Sequence, residues 1–337
     1  MASDIAILAL TKGGQALARR LARSLPATVF FCRGSLRRTM EQCWHDHDAL
    51  VCIMAAGIVV RTLAPLIEDK QRDPAVVVCD EQGRFAVSLL SGHLGGGNEL
   101  ANRVAAVTGG RAVITTASDV QGKTALDLWA RDLGLVVADR DGLTRAMGKL
   151  VNHGSVTLYS DYPLPNLPED IQPTDQPQAA DLIITAATGV QTSGTLLYAR
   201  ALVAGVGCNR NTPAEEIEQA LQQACQENNF ARGSVALLAS IDLKRDEQGL
   251  LAFARRHGLP LVFFNKDELN TVDGVSTSAV VLRATGARGV AEPAAVLASD
   301  GGRLLVKKMK WPNVTVAIAE IKNPLGKHRF HKQNNSK

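Results

Sequence analysis

Short apolar runs alternate with amphipathic helical patterns along most of the chain, and this alternation limits the folds that it can adopt. Residues 4–10 and 49–55 are apolar runs with strand character, and helical patterns follow both of them. Strands that are joined through helices form mostly parallel sheets whose two faces are covered. Short turns within residues 75–90 and 302–321 predict two β-hairpins. The sequence therefore predicts a multi-domain α/β protein, with mostly parallel sheets flanked by helices and with hairpin additions.

Changes in composition divide the 337 residues into four predicted segments. An N-terminal α/β domain with a glycine loop covers 1–134, and a small middle domain covers 135–200. Within the middle domain, residues 163–178 contain five prolines, which we expect to exclude a regular element there. A second α/β domain covers 201–322. Residues 323–337 have no core pattern and form a basic tail that we predict to be flexible.

The net charge of +4 is distributed unevenly. Residues 322–337 contain five basic and no acidic side chains, so the other 321 residues carry a net charge of −1. The body of the protein therefore lacks the charge of a nucleic-acid-binding surface. No run reaches the roughly 18 apolar residues that a membrane span needs. The start of the chain lacks the basic segment of a secretion signal. We predict a cytoplasmic protein without membrane or nucleic-acid partners; the oligomeric state is left open.

A metal site is not predicted. The six cysteines form no CxxC pair. The segments HDH (45–47) and HRFH (328–331) each lack a well-placed third ligand.

The stretch SGHLGGGN, residues 91–98, joins an apolar run to a helical pattern. Peptide N–H groups at a helix start favour anions, so Gly95, Gly96, Gly97 and Asn98 are candidates for binding one. GxGxxG and GxxxxGK[ST] are absent, and this excludes dinucleotide and P-loop motifs. The alternative is a turn that only lets the helix pack. His93 is either a hydrogen-bonded turn residue or a general acid or base.

Other polar residues follow predicted strand ends. Gly57, Arg61 and Lys70 could face the same sheet edge as the glycine loop, or could belong to a solvated loop and helix surface. Asp119 could cap the next helix or face the cleft.

The second α/β domain carries charged residues after a predicted strand: Asp242, Lys244, Asp246 and Glu247. Earlier in that domain, Thr212-Pro213-Ala214-Glu215 has the spacing of a helix capping box.

The same residues resemble a known family. MAAGIVVRTLAPLIEDKQRDPAVVVCDEQGRF (54–85), LLSGHLGGGNELA (89–101) and GVGCNRNTPAEEIEQAL (205–221) are similar to the cobalt-precorrin-5A hydrolases of anaerobic cobalamin biosynthesis. That family usually has Ala where Gly97 stands here. The resemblance implies an enzyme that opens the ring A δ-lactone of a cobalt-corrinoid intermediate and releases the C20 two-carbon unit as acetaldehyde. It also implies that cobalt arrives with the substrate, so no further cofactor is expected.

The resemblance does not identify the residues that act in this reaction, so their roles are hypotheses drawn from the candidate residues above. His93 would act as general base on the attacking water, and Asp119 would orient it. The N–H groups of Gly95–Gly97 would stabilise the oxyanion. Residues Gly57, Arg61, Lys70 and Asn98, together with the loop, would bind the carboxylates of the corrinoid. Other enzymes of the pathway are possible partners. The alternative function is that of a non-catalytic corrinoid-binding or carrier protein of the same pathway.

Overall fold

The computed structural model describes residues 4–69 and 72–326, and the chain divides into two units, Met1–Trp129 and Ala130–Lys337. Lys70, the HRFH segment and most of the basic tail lie outside the described residues. Among the helices that are described, none has the length and apolar character needed to cross a bilayer. The prediction of an α/β protein with mostly parallel, helix-flanked sheets is confirmed.

The first unit contains a six-stranded sheet of order β2-β1-β3-β4-β5-β6. Its strands are β1 Ile5–Ala9, β2 Ala27–Phe31, β3 Ala49–Ile53, β4 Ala75–Cys79, β5 Phe85–Leu90 and β6 Arg111–Val113. Its helices are α1 Lys12–Ala22, α2 Leu36–Asp46, α3 Ala56–Leu63, α4 Gly97–Thr108 and α5 Ala117–Val120, and α6 Leu126–Asp132 crosses into the second unit. The central strands β1, β3 and β4 are buried along their whole length, with a hydrophobic core on each face of the sheet.

The direction of β5 determines where the loops of this unit lie. Strands β1 to β4 are parallel to one another, β5 is antiparallel to β4, and β6 is parallel to β5. The hairpin of β4 and β5 confirms the prediction for residues 75–90. Because β5 and β6 run against the other four strands, their carboxyl ends lie at the opposite edge of the sheet.

The second unit contains two five-stranded sheets, of orders β7-β11-β10-β8-β9 and β14-β13-β12-β16-β15. The strands are β7 Val136–Val137, β8 Val156–Ser160, β9 Ile171–Pro173, β10 Leu182–Thr185, β11 Thr195–Tyr198, β12 Leu202–Cys208, β13 Val235–Ile241, β14 Leu261–Phe264, β15 Leu304–Lys310 and β16 Val314–Glu320. The helices are α7 Arg140–His153, α8 Ala214–Glu227, α9 Gln248–Arg256, α10 Lys266–Asn270, α11 Ala279–Thr285 and α12 Ala291–Ala298. Strands β15 and β16 form the predicted second hairpin. The division into four segments stays a prediction.

Two local predictions for this unit are wrong. The proline-rich segment contains β9, which pairs with β8; Pro173 is tolerated because β9 is an edge strand. The capping box is absent because the Thr212 hydroxyl donates to the carbonyl of Asn209 instead. Helix α8 begins at Ala214, with Pro213 as its N-cap residue.

Candidate functional site

The glycine loop joins β5 to α4 and is closed by hydrogen bonds from three of its own peptide N–H groups. Three consecutive N–H groups donate to carbonyls of the loop: Gly96 to His93 at 2.9 Å, Gly97 to Ser91 at 3.0 Å and Asn98 to Gly92 at 2.9 Å. In the described part of the chain, the N–H of Gly95 forms no such bond. The expectation that Gly95–Gly97 present a row of free N–H groups to an anion is therefore wrong for Gly96 and Gly97. These donors close the turn.

Close packing explains why this loop is built from glycine. A Cβ atom on Gly95 would lie 2.5 Å from the Cβ of Ser91, and one on Gly97 would lie 2.8 Å from the carbonyl oxygen of Leu90. Gly96 has open space around it but a φ of +82°, in the left-handed region that side chains other than glycine rarely adopt. The loop is consequently a compact turn that fixes the position of the residue within it, His93.

His93 lies between two carboxylates. Its Nε2 is 2.8 Å from Oδ2 of Asp119, and its Nδ1 is 3.4 Å from Oδ1 of Asp127. The His93 and Asp127 side chains are 13% and 14% exposed, whereas that of Asp119 is 38% exposed. Since β5 and β6 are parallel neighbours, the loops that carry His93 and Asp119 leave the same edge of the sheet. The geometry therefore unites the two predicted catalytic residues.

Asp127 was missed by the sequence reasoning, which treated its segment only as a helix. It is the second residue of α6, just after the turn that follows α5. The signal that could have found it is an acidic residue at a helix start close in sequence to Asp119. Acidic residues are common at helix starts, however, because the positive end of the helix dipole stabilises them, so this signal alone is weak.

These contacts control the protonation of His93. The hydrogen bond to the half-buried Asp127 raises the pKa of His93 most strongly, burial opposes this, and the bond to Asp119 adds to it, giving a pKa of about 9. Burial alone would raise the pKa of Asp127, but the hydrogen bond to His93 and the attraction of its charge lower that pKa below its ordinary value. With a pKa of about 9, His93 is an imidazolium at neutral pH, which donates from Nε2 to Asp119 and forms an ion pair through Nδ1 with Asp127.

Asn98 holds Asp119 through its side chain. Its Nδ2 donates to Oδ2 of Asp119 at 2.9 Å and to Oγ1 of Thr116 at 3.3 Å. Its Oδ1 is buried and has no hydrogen-bond partner among the described residues. Both bonds to Asp119, from His93 and from Asn98, fall on the same oxygen. Oδ1 of Asp119 is the oxygen that neither His93 nor Asn98 contacts.

Apolar side chains flank this polar cluster. Leu94, which follows His93, and Val120, which follows Asp119, are both exposed; Val120 is 71% exposed.

Gly57 and Arg61 lie at the other edge of the first sheet. Both belong to α3, which follows the carboxyl end of β3, and Nη1 of Arg61 donates to the carbonyl of Gly57 at 3.0 Å. An apolar cavity of about 410 Å³ is formed at that edge by the ends of β1, β3 and β4. The expectation that these residues share an edge with the glycine loop is wrong, because β5 reverses direction. Lys70 lies outside the described residues.

No metal-binding cluster is found within residues 4–69 and 72–326, where no three His, Cys, Asp or Glu side chains are grouped to hold an ion. The pair His93 and Asp119 instead forms a hydrogen-bonded acid–base arrangement, suited to moving protons.

Comparison with known proteins assigns the chain to a family. Three family models match the chain. Residues 38–119 match the model described as cobalamin synthesis G N-terminal, residues 124–198 match the cobalamin biosynthesis central region, and residues 202–319 match the cobalamin synthesis G C-terminus. Cobalt-precorrin-5A hydrolase from Priestia megaterium is 35% identical over 94% of this chain and 95% of its own length. The chain therefore belongs to the cobalt-precorrin-5A hydrolase family.

Two further relatives extend the comparison. Cobalt-precorrin-5A hydrolase from Salmonella typhimurium is 34% identical over 94% of this chain and 97% of its own length. Protein CobE from Sinorhizobium sp is 33% identical over 39% of this chain and 88% of its own length. In this member of the hydrolase family, His93 and Asp119 lie within the N-terminal match and Asp127 within the central match.

Proposed function

We propose that this chain is a cobalt-precorrin-5A hydrolase, which opens the ring A δ-lactone of a cobalt-corrinoid intermediate and releases its C20 two-carbon unit as acetaldehyde. Support comes from the two relatives of that name that align with 94% of the chain. The observation that carries the assignment of the site is the position of the His93 ring between the carboxylates of Asp119 and Asp127.

In the first step, the protonation of His93 favours an acid over the general base predicted from the sequence. Oδ1 of Asp119 accepts a proton from water as the water oxygen bonds to the lactone carbonyl carbon. The C–O bond of the lactone then breaks, and the His93 imidazolium protonates the departing alkoxide. The products of this step are a carboxylic acid and an alcohol, so the elements of one water molecule are added.

In the second step, His93 is neutral and can act as the base. It takes back the proton of the new alcohol, whose oxygen becomes the carbonyl oxygen of acetaldehyde. The C–C bond to the macrocycle breaks, and its electron pair passes into the cobalt-bound ring, which takes up the proton that Asp119 accepted in the first step. One residue thus serves as acid and then as base.

Binding of the corrinoid would use the exposed apolar side chains as well as the polar cluster around Asp119. The exposed Leu94 and Val120 would contact the apolar face of the ring, while the hydrogen-bonded Asn98 keeps Asp119 in place. Cobalt is part of the substrate, and the steps above need only proton transfer from the chain. We therefore propose that no further cofactor is required.

Acetaldehyde formation from cobalt-precorrin-5A tests the proposal directly. We expect the wild-type protein to release it and the His93→Ala variant to be slower by roughly 10²- to 10⁴-fold, the usual contribution of a general acid or base. His153→Ala, which alters an exposed histidine of α7, is the matched control and should keep the wild-type rate. Full turnover by His93→Ala would remove His93 from the mechanism. Corrinoid binding without acetaldehyde would indicate the carrier function instead.

A further inference from the structure

Both ring nitrogens of His93 face carboxylates, although the proposed reaction moves a proton between this ring and the substrate in each step. Nε2 is 2.8 Å from Oδ2 of Asp119, and Nδ1 is 3.4 Å from Oδ1 of Asp127. The His93 side chain is only 13% exposed. A substrate must therefore either displace one of the carboxylates or exchange protons with the ring through another group.

Ser118 provides such a group. Its hydroxyl Oγ is 3.4 Å from Nε2 of His93, and its side chain is half-buried in α5. Hydrogen bonds between catalytic groups are often this long before a substrate binds. Because a protonated Nε2 can only donate, Oγ of Ser118 is the acceptor in this contact, and the hydrogen of the hydroxyl points elsewhere.

The hydroxyl hydrogen of Ser118 has no acceptor among the described residues, since the contact with His93 is the one bond that this hydroxyl forms there. A hydroxyl that accepts a hydrogen bond from a cation is polarised and becomes a stronger donor. The N–H groups of Gly96 and Gly97, which were predicted to donate to the substrate, close the turn instead. The Ser118 hydroxyl is therefore a donor that the site still offers to a substrate.

The position of Ser118 suits this role. Helix α5 follows β6 and lies at the same edge of the sheet as the glycine loop, because β5 and β6 are parallel. Ser118 directly precedes Asp119, which activates water in the proposed reaction, and consecutive Cα atoms are only about 3.8 Å apart. The group that activates water and the hydroxyl that contacts His93 thus belong to one helical turn, where they can act on the same lactone.

A serine beside a histidine is also the arrangement of a nucleophile and its base. That role requires a neutral His93 with a lone pair on Nε2 that faces the hydroxyl. With a pKa of about 9, His93 is protonated at neutral pH, and its Nε2 is bound to Asp119. These contacts favour proton transfer through Ser118 over attack by Ser118.

From these contacts we infer that the hydroxyl of Ser118 relays the proton between His93 and the substrate in both steps. When the lactone C–O bond breaks, the departing alkoxide takes the hydroxyl hydrogen of Ser118, and Oγ of Ser118 takes the Nε2 hydrogen of His93. The alkoxide becomes the alcohol, His93 becomes neutral, and Ser118 is a hydroxyl again. In the second step both protons move in the opposite direction. Ser118 is then the residue that touches the substrate, and this role rests on the proposed function.

Substitution of Ser118 tests the relay in the full chain. Ser118→Ala removes the hydroxyl, so we expect kcat for acetaldehyde formation to fall by roughly 10²-fold while KM changes little. Ser118→Thr keeps a hydroxyl on the same carbon and should retain most of the rate. Thr115→Val, which removes an exposed hydroxyl from the segment before α5, is the matched control and should behave as wild type.

The pKa of His93 separates a relay from a structural effect. Asp119 from α5 and Asp127 from α6 are the charged groups that face the ring, and they set this pKa together with burial. Ser118→Ala should therefore keep the pKa at about 9, followed by NMR of the ring, while turnover falls. A pKa that falls together with turnover, with Ser118→Thr equally impaired, would make Ser118 a positioning residue and overturn the relay.

Exchange of the Nε2 proton of His93 with solvent provides a readout that needs no substrate. If Ser118 carries protons to and from this ring, exchange measured by NMR at low temperature should be about tenfold slower in Ser118→Ala than in wild type and Thr115→Val, as expected when one hydrogen bond of the path is lost. Equal or faster exchange in Ser118→Ala would contradict the relay.

Failure of the relay and failure of the proposed function give different results. Slower exchange in Ser118→Ala of a protein that forms no acetaldehyde would contradict the hydrolase activity and leave the relay in place. Acetaldehyde formation by Ser118→Ala at the wild-type rate would contradict the relay alone. An acyl group on Ser118, detected by mass spectrometry during turnover, would make the serine a nucleophile and overturn the relay as well.

Discussion

At the scale of single residues, the protonation of His93 determines which chemistry the site can perform. A histidine with a pKa of about 9 is almost fully charged at neutral pH, so it can donate a proton but has no free lone pair. The sequence placed His93 and Asp119 as candidates but could not show this, since the pKa depends on a third residue. Asp127 supplies the largest contribution and is reached only through the fold.

The pH dependence of turnover distinguishes an acid from a base. If the His93 imidazolium protonates the leaving group, kcat/KM should fall as the pH rises through about 9. A general base with the same pKa would instead gain activity over that range. Asp127→Asn should move the alkaline limb to lower pH by on the order of one unit, because the contact that raises the pKa most is lost. Asp132→Asn, an exposed position on the same helix, should leave the profile unchanged. An alkaline rise in wild-type activity would contradict the assignment of an acid.

The same pKa shift predicts a change of stability with pH. The pKa of His93 is raised on folding from 6.5 to about 9. Its contribution to the free energy of unfolding is therefore fully present below about pH 6.5 and is lost as the pH rises through about 9; it amounts to up to about 3 kcal/mol. Chemical denaturation of wild type and His93→Gln at a series of pH values measures it. The difference between the two proteins should shrink as the pH rises, and a constant difference would contradict the pairing.

At the scale of elements, the glycine loop acts as a support for His93 and less as an anion cradle. The sequence pattern placed these glycines between a strand and a helix, and they do join β5 to α4. Their role differs from the predicted anion binding, because the N–H groups of Gly96 and Gly97 form hydrogen bonds that close the turn. The Ala that the family usually has at position 97 would meet the Leu90 carbonyl here, so the loop backbone would have to shift to accept it.

Gly95→Ala tests the packing of this loop. The added methyl group would overlap Ser91, so we expect a loss of about 1–3 kcal/mol in the free energy of unfolding and slower acetaldehyde formation. Gly148→Ala is the control: it lies in α7 with open space around it and should stabilise the protein by up to about 1 kcal/mol. Unchanged stability and rate in Gly95→Ala would show that the loop is not tightly packed.

At the scale of the whole molecule, the chain contains two units, each with buried strands of its own. We predict that they unfold separately. Phe253→Ala, in the core of the second unit, should lower one thermal transition, since such a truncation costs roughly 3–5 kcal/mol. Leu21→Ala, in the core of the first unit, should lower the other. Calorimetry of both variants measures this, and a single transition shifted by either change would contradict it.

The sequence by itself determined the local elements: most strands, the two hairpins and the position of the glycine loop, because apolar periodicity and turn residues act over a few neighbours. Only the tertiary structure decided which loops meet. Because β5 is antiparallel to β4, His93 lies at the edge of the sheet opposite to Gly57 and Arg61. Helix α6 places Asp127 next to the His93 ring. The direction of a strand within a sheet depends on the packing of the whole unit. The same is true of the contact between His93 and two carboxylates that are distant from it in the sequence. Local sequence patterns encode neither.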